Sequence, residues 1–180
     1  MRSLLTAPIA LLFILAGAPY AHASEVGPEF VGSLVQPYLT IQTALAGDNL
    51  ADAKSGADEL AEAVSDDDAI EPSWRKPVQI IRDAPDIETA RRGFMELSHR
   101  MLQVVKDAGS TVERPLYLAH CPMAFGGEGG SWIQADETIA NPYYGASMLR
   151  CGTVQEQLSG KMGSTFDAPR TGHGHDGHDH

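Results

Sequence analysis

Residues 86–109 read Asp-Ile-Glu-Thr-Ala-Arg-Arg-Gly-Phe-Met-Glu-Leu-Ser-His-Arg-Met-Leu-Gln-Val-Val-Lys-Asp-Ala-Gly. Ile87, Ala90, Phe94, Leu97, Met101 and Val105 recur every three or four positions, so at about 100° per residue they form one stripe of a helix. Asp86 is a residue type that caps a helix N-terminus, and Gly109 stops the pattern. This spacing predicts the longest helix of the chain, Ile87 to Ala108. Met101 lies within the stripe and reads as core, although a thioether is also a soft ligand. His99 falls on the opposite side and reads as solvent-facing.

A single apolar stripe must be covered by other elements, and the preceding sequence supplies them. Trp74, Val78 and Ile81 share a face of a shorter helix from about Pro72 to Arg82. Leu50 to Val64 is alanine-rich, with Leu50, Ala53, Ala57, Leu60, Ala61 and Val64 making a narrow stripe suited to close packing. Phe30 to Ala46 carries Phe30, Leu34, Tyr38, Ile41 and Leu45 at helical spacing; Pro37 inside it is expected to kink the helix or delay its start. Gly47-Asp48 breaks that helix, and Asp48 or Asn49 can cap the next. The tight connection implies an antiparallel hairpin. The expected fold class is therefore all-α: an up-down helical bundle of about four helices, followed by an irregular C-terminal lobe.

The ends of the chain read differently. Arg2, an apolar run from Leu4 to Ala18, and Ala21-His22-Ala23 before Ser24 have the layout of a secretory signal peptide. No later stretch is apolar enough to cross a membrane, so an exported, periplasmic protein is expected, with no membrane insertion after cleavage. The chain divides into a signal peptide (1–23), a helical-bundle domain (24–160) and a disordered histidine-rich tail (161–180). With 13 Lys+Arg against 24 Asp+Glu the net charge is −11, which repels nucleic acid. Asp66-Asp67-Asp68 lacks the alternating ligands of a calcium loop and reads as a solvated linker. No repeat, phosphate loop, dinucleotide fingerprint or nucleophile elbow appears.

From Glu113 the pattern changes. Pro115 to Ala119 looks extended, the glycines at 126–130 forbid a stable helix, and Trp132-Ile133 is a candidate short strand. Asn141-Pro142 starts a turn, Tyr143 to Leu149 suits one or two helical turns, and Val154 to Leu158 suits a last short helix. Both cysteines of the chain lie in this lobe, as do His120, Met123 and Met148. Thiolate, thioether and imidazole suit monovalent copper or silver. If the two segments meet, His120, Cys121, Met123, Met148 and Cys151 form a soft ligand set. The competing reading is a Cys121–Cys151 disulfide closing a loop of about 30 residues, which stabilises by roughly 3–4 kcal/mol on the loop-entropy model. A pair closed when oxidised and metal-competent when reduced is a third. Zinc is less suited, because methionine is a poor zinc ligand. An enzyme is not expected: Cys121 beside His120 has no visible orienting acid or oxyanion motif. In the tail, His173, His175, His178 and His180 alternate with Gly and Asp, donors that suit Cu(II), Ni(II) or Zn(II).

His-Cys-Pro-Met-Ala (120–124), Gly-Gly-Glu-Gly-Gly-Ser-Trp (126–132), Asn-Pro-Tyr-Tyr-Gly-Ala-Ser-Met-Leu-Arg-Cys-Gly (141–152) and Phe-Met-Glu-Leu-Ser (94–98) resemble a periplasmic domain family of unknown function. That family also occurs at the C-terminus of Cus-type heavy-metal efflux membrane-fusion (adaptor) proteins. The resemblance covers roughly Phe30 to Leu158. It implies a helical-bundle domain, a role around copper outside the cytoplasm, and a metal-efflux adaptor or pump as partner. No adaptor domain accompanies it in this sequence, so a stand-alone metal-binding protein for resistance, buffering or delivery is expected. The alternative is a docking module of an efflux system with a Cys121–Cys151 disulfide.

Overall fold

The computed structural model describes residues 27–65 and 72–159. The expected signal peptide at 1–23, the acidic run at 66–68 and the histidines at 173–180 lie outside the described residues. Four long helices come first: α1 (Pro28–Ala46), α2 (Leu50–Ser65), α3 (Pro72–Asp83) and α4 (Ile87–Ala108). They are followed by β1 (Leu116–Cys121), a one-turn α5 (Ala124–Gly127), β2 (Gly130–Gln134), a 3-10 turn at Gly145–Ser147, and β3 (Thr153–Ser159).

The helices obey the periodicities that predict them. Asp86 caps α4, accepting the Thr89 N–H at 2.8 Å, and Gly109 follows the helix at φ 74°. Ala90, Phe94, Leu97, Met101 and Val105 are buried, and His99 is exposed. α1 begins at Pro28, before Pro37, so that proline does not delay its start; Pro28 takes a first-turn position, where its missing N–H costs nothing. Asn49 caps α2, accepting the Asp52 N–H at 3.1 Å. In the α1–α2 hairpin, a Cβ on Gly56 would come within 2.9 Å of the Ile41 side chain, so the small residue sets how closely the helices approach. α1 packs on α2 and α4, and α3 packs on α2 and α4, which closes the bundle.

The all-α expectation is corrected in the C-terminal lobe. β1 is the centre of a three-stranded antiparallel sheet in the order β2-β1-β3. The predicted helix at Val154–Leu158 is strand β3. Val154 and Leu158 are four apart, a spacing that keeps residues on one face of a helix and equally on one face of a strand. β1 has a free edge there, and pairing with it satisfies the backbone of β3. Tyr143 to Leu149 forms only the 3-10 turn.

Sheet and bundle share one core. β2 packs against α4 and α1. Tyr38, fully buried on α1, places its hydroxyl 2.8 Å from the Ser98 hydroxyl on α4 and accepts the Ile133 N–H of β2 at 3.0 Å. Burial pushes its phenol well above the usual tyrosine range. Phe94 stacks on Tyr38 with ring centroids 5.1 Å apart and meets Tyr143 at 6.1 Å, and Tyr143 contacts Trp132 edge-on at 5.7 Å. Each large side chain buried this way contributes about 1.5–3 kcal/mol.

Candidate functional site

Cys121 ends β1 and is fully buried. It lies opposite Gly130 in the ladder, where a Cβ would stand 2.6 Å from the Tyr143 ring. Pro122 and Met123 then turn the chain away from the sheet. Cys151 arrives from the other side, on a loop held by Asn141. The Asn141 side chain donates to the Cys151 carbonyl at 2.8 Å and accepts the Tyr143 N–H at 2.8 Å, while its N–H donates to the Leu149 carbonyl at 2.9 Å. Gly152 completes the approach. It has φ 129°, and a Cβ there would lie 2.8 Å from the His120 carbonyl and 3.0 Å from the Trp132 ring. Only glycine lets this backbone pass so close to β1.

The two Sγ atoms are 2.9 Å apart. No disulfide bond joins them. The contact with Cys121, aided by burial, pushes the Cys151 thiol upward, because a second sulfur at this distance disfavours the thiolate.

The other three expected ligands are placed differently. His120 and Cys121 are neighbours on a strand, so their side chains leave it on opposite faces. The His120 ring is half-buried, packs over Gly129, and has Nδ1 2.9 Å from the Ser131 hydroxyl across the ladder. Met123 and Met148 sit at the rim, 53% and 38% exposed. The Met123 carbonyl accepts the Tyr144 hydroxyl, and the Met148 carbonyl accepts the Cys151 N–H at 2.9 Å, which sets that methionine one turn from the second thiol. The structure thus brings the two cysteines together, holds the methionines at exposed positions beside them in the chain, and binds the imidazole to a serine. Among the described residues no group of three or more His, Cys, Asp or Glu side chains gathers as a metal-binding cluster.

An open groove of about 840 Å³ lies elsewhere, lined by Lys76, Glu96, His99 and Arg100 of the helices and by Ser131 of β2. It reaches the hydroxyl bonded to His120 but not the thiols.

A polar clamp that holds the lobe in place escapes the sequence reading. Arg91 is buried on α4. It donates to the Pro142 carbonyl at 3.0 Å, the Asp48 carboxylate at 2.6 Å and Glu88 at 2.8 Å. Asp48, at φ 57°, also accepts the Ala146 N–H at 2.8 Å. That backbone bond first, with Arg91 adding to it, holds the Asp48 carboxyl below the usual carboxylate range. The available signal was spacing: Arg91 and Ser98 lie seven apart on the flank of the α4 stripe, too close to it to be wholly solvated.

The fold and site define a helical bundle carrying a small antiparallel sheet, with two cysteines meeting at the end of its central strand. Residues 34–113 match the sequence profile of a family described as "Protein of unknown function (DUF3347)". The match runs from α1 to the segment just before β1, so it covers the helices and leaves the cysteine pair outside. No curated protein and no solved structure matches the chain.

Proposed function

We propose that this chain is an exported, periplasmic metal-binding protein for monovalent copper, acting in resistance, buffering or delivery rather than catalysis. The observation that carries the reading is the 2.9 Å meeting of Cys121 and Cys151, with the exposed Met123 and Met148 two and three residues from them in the chain. Low-coordinate soft ions need only two to four such donors. Copper is cargo here. Cys121 and Cys151 would hold it, with Met123 and Met148 closing over it, and His120 would join only by leaving Ser131 and crossing from the opposite face of β1. Metal–thiolate bonds of roughly 2.3 Å place two tetrahedral ligands about 3.8 Å apart. Loading therefore parts the sulfurs from 2.9 Å. His173, His175, His178 and His180 add a second donor class, suited to Cu(II), Ni(II) or Zn(II). The resemblance to domains of Cus-type adaptors points the same way, with an efflux adaptor or pump as the partner for delivery.

Titration with Cu(I) against a competing chelator tests this. Replacing Met123 and Met148 by Leu should weaken binding, and unchanged affinity would remove the methionines from the centre. Deleting residues 171–180 should lower the divalent-metal stoichiometry in calorimetry; an unchanged stoichiometry refutes the role of the tail.

The sulfur–sulfur contact and the burial of Cys121 favour a second reading, a docking module clasped by a Cys121–Cys151 disulfide. Closing that loop stabilises the oxidised protein by about 3–4 kcal/mol. Intact mass separates the two. Protein isolated from the periplasm without reductant that lacks two hydrogens supports the clasp; the full thiol mass supports the metal centre.

A further inference from the structure

Met123 and Met148 are the large apolar side chains left exposed among the described residues. Both residues are held by their backbone carbonyls, through Tyr144 and Cys151. Met101 is the opposite case, fully buried in the bundle, and Met95 is half-buried. Among the described residues the methionines are thus graded in exposure, and the two most exposed lie two residues after Cys121 and three before Cys151 in the chain.

We propose that Met123 and Met148 are oxidation sites, whose conversion to sulfoxide by a hydroperoxide lowers the affinity of the Cys121–Cys151 centre for a soft monovalent metal. The consequence for metal rests on the soft-metal reading above; the oxidation itself does not. The thioether sulfur attacks the outer peroxide oxygen, a sulfur–oxygen bond forms as the oxygen–oxygen bond breaks, and the second oxygen leaves as water or alcohol after taking a proton. Sulfur loses two electrons and the peroxide gains them. The product presents a hard oxygen and a less available sulfur lone pair in place of a soft donor, which suits Cu(I) and Ag(I) poorly. Because both residues are partly exposed and lie outside the buried core, the added oxygen can meet water. The change is reversible by methionine sulfoxide reductases, with one enzyme for each sulfoxide epimer.

The test uses the whole mature protein and hydrogen peroxide, with thiols returned to the reduced state by a phosphine and peptide mass mapping confirming that no oxygen remains on cysteine. Peptide mass mapping should show one added oxygen at Met123 and at Met148 before Met95 and long before Met101. Silver(I), a redox-inert probe, should then bind about tenfold more weakly, with the urea midpoint unchanged and affinity restored by the two reductases. Oxidation of Met95 or Met101 as fast as the rim pair overturns the site assignment. Silver affinity unaltered by complete oxidation at Met123 and Met148 overturns the switch. The double variant Met123→Leu/Met148→Leu separates this failure from that of the parent reading. If the leucines weaken silver binding and the sulfoxides do not, only the oxidation proposal falls. If neither change matters, the methionine-containing centre falls as well.

Discussion

At the scale of single residues, Gly152 decides whether the two thiols meet. Its φ of 129°, and the mere 2.8 Å that a Cβ there would leave to the His120 carbonyl, leave no space for a methyl group. Gly152→Ala should destabilise the protein by about 1–3 kcal/mol and move Cys151 off Cys121. Urea midpoints measure the first effect, and the yield of intramolecular disulfide on mild oxidation measures the second. A variant that closes its disulfide as readily as wild type would show that the glycine does not set the pairing. The cysteines, His120 and the methionines were all visible in the sequence as soft donors. Their arrangement was not, because it depends on strand pleating, which sends His120 and Cys121 to opposite faces, and on a glycine whose role exists only once β1 and β3 are paired.

Asp48 supplies the second residue-scale prediction. Its carboxyl is held low by the Ala146 N–H and by Arg91. A carboxyl depressed in the folded state stabilises above its unfolded pKa, about 3.9, and that contribution is lost as pH falls through the folded value. The Asp48→Asn variant should therefore be less stable than wild type at neutral pH, and the gap should shrink as pH falls below about 4. Parallel denaturant curves at neutral and acidic pH measure it. A gap constant across that range would mean that the ionised form makes no special contacts.

At the scale of elements, the four helices were legible because period 3.6 is unambiguous over a dozen residues or more and because the caps were standard types. Asp86 is the clearest case, and it carries the third prediction. Asp86→Ala removes the acceptor of the Thr89 N–H and an acidic group at the start of a 22-residue helix, so thermal unfolding should move down by a few degrees. Asp86 also lies below the usual carboxylate range, through its bond to the Thr89 N–H, so this loss too should fade on acidification below about pH 4. A loss that persists in acid would point to something other than the charged cap. The short elements were less legible. Over the stretch Thr153 to Ser159, helical and strand periods coincide at Val154 and Leu158, and only the unpaired edge of β1, far away in sequence, chooses between them. The Arg91 clamp was hidden for the same reason, since its carbonyl partner at Pro142 is 51 positions distant.

At the scale of the whole molecule, the family match at residues 34–113 raises the question of whether the bundle can stand alone. The packing argues that it cannot. Tyr38 and Phe94, both fully buried, are covered partly by Tyr143 and β2, and Arg91 would lose Pro142 while remaining set into the helices. A chain ending at residue 113 would expose this aromatic face and leave the Tyr38 hydroxyl without Ile133. It should retain much of its helical circular dichroism, bind an apolar dye, and unfold in urea with a shallower, less cooperative transition than the full chain. A sharp transition without dye binding would show two independent units. The sheet lobe would then be an appendage, and the dithiol could be studied without the bundle. On the packing described here, the helices and the lobe instead form one cooperative body. A movement that parts Cys121 from Cys151 on metal binding would then be felt at Tyr143 and, through Phe94, in the bundle.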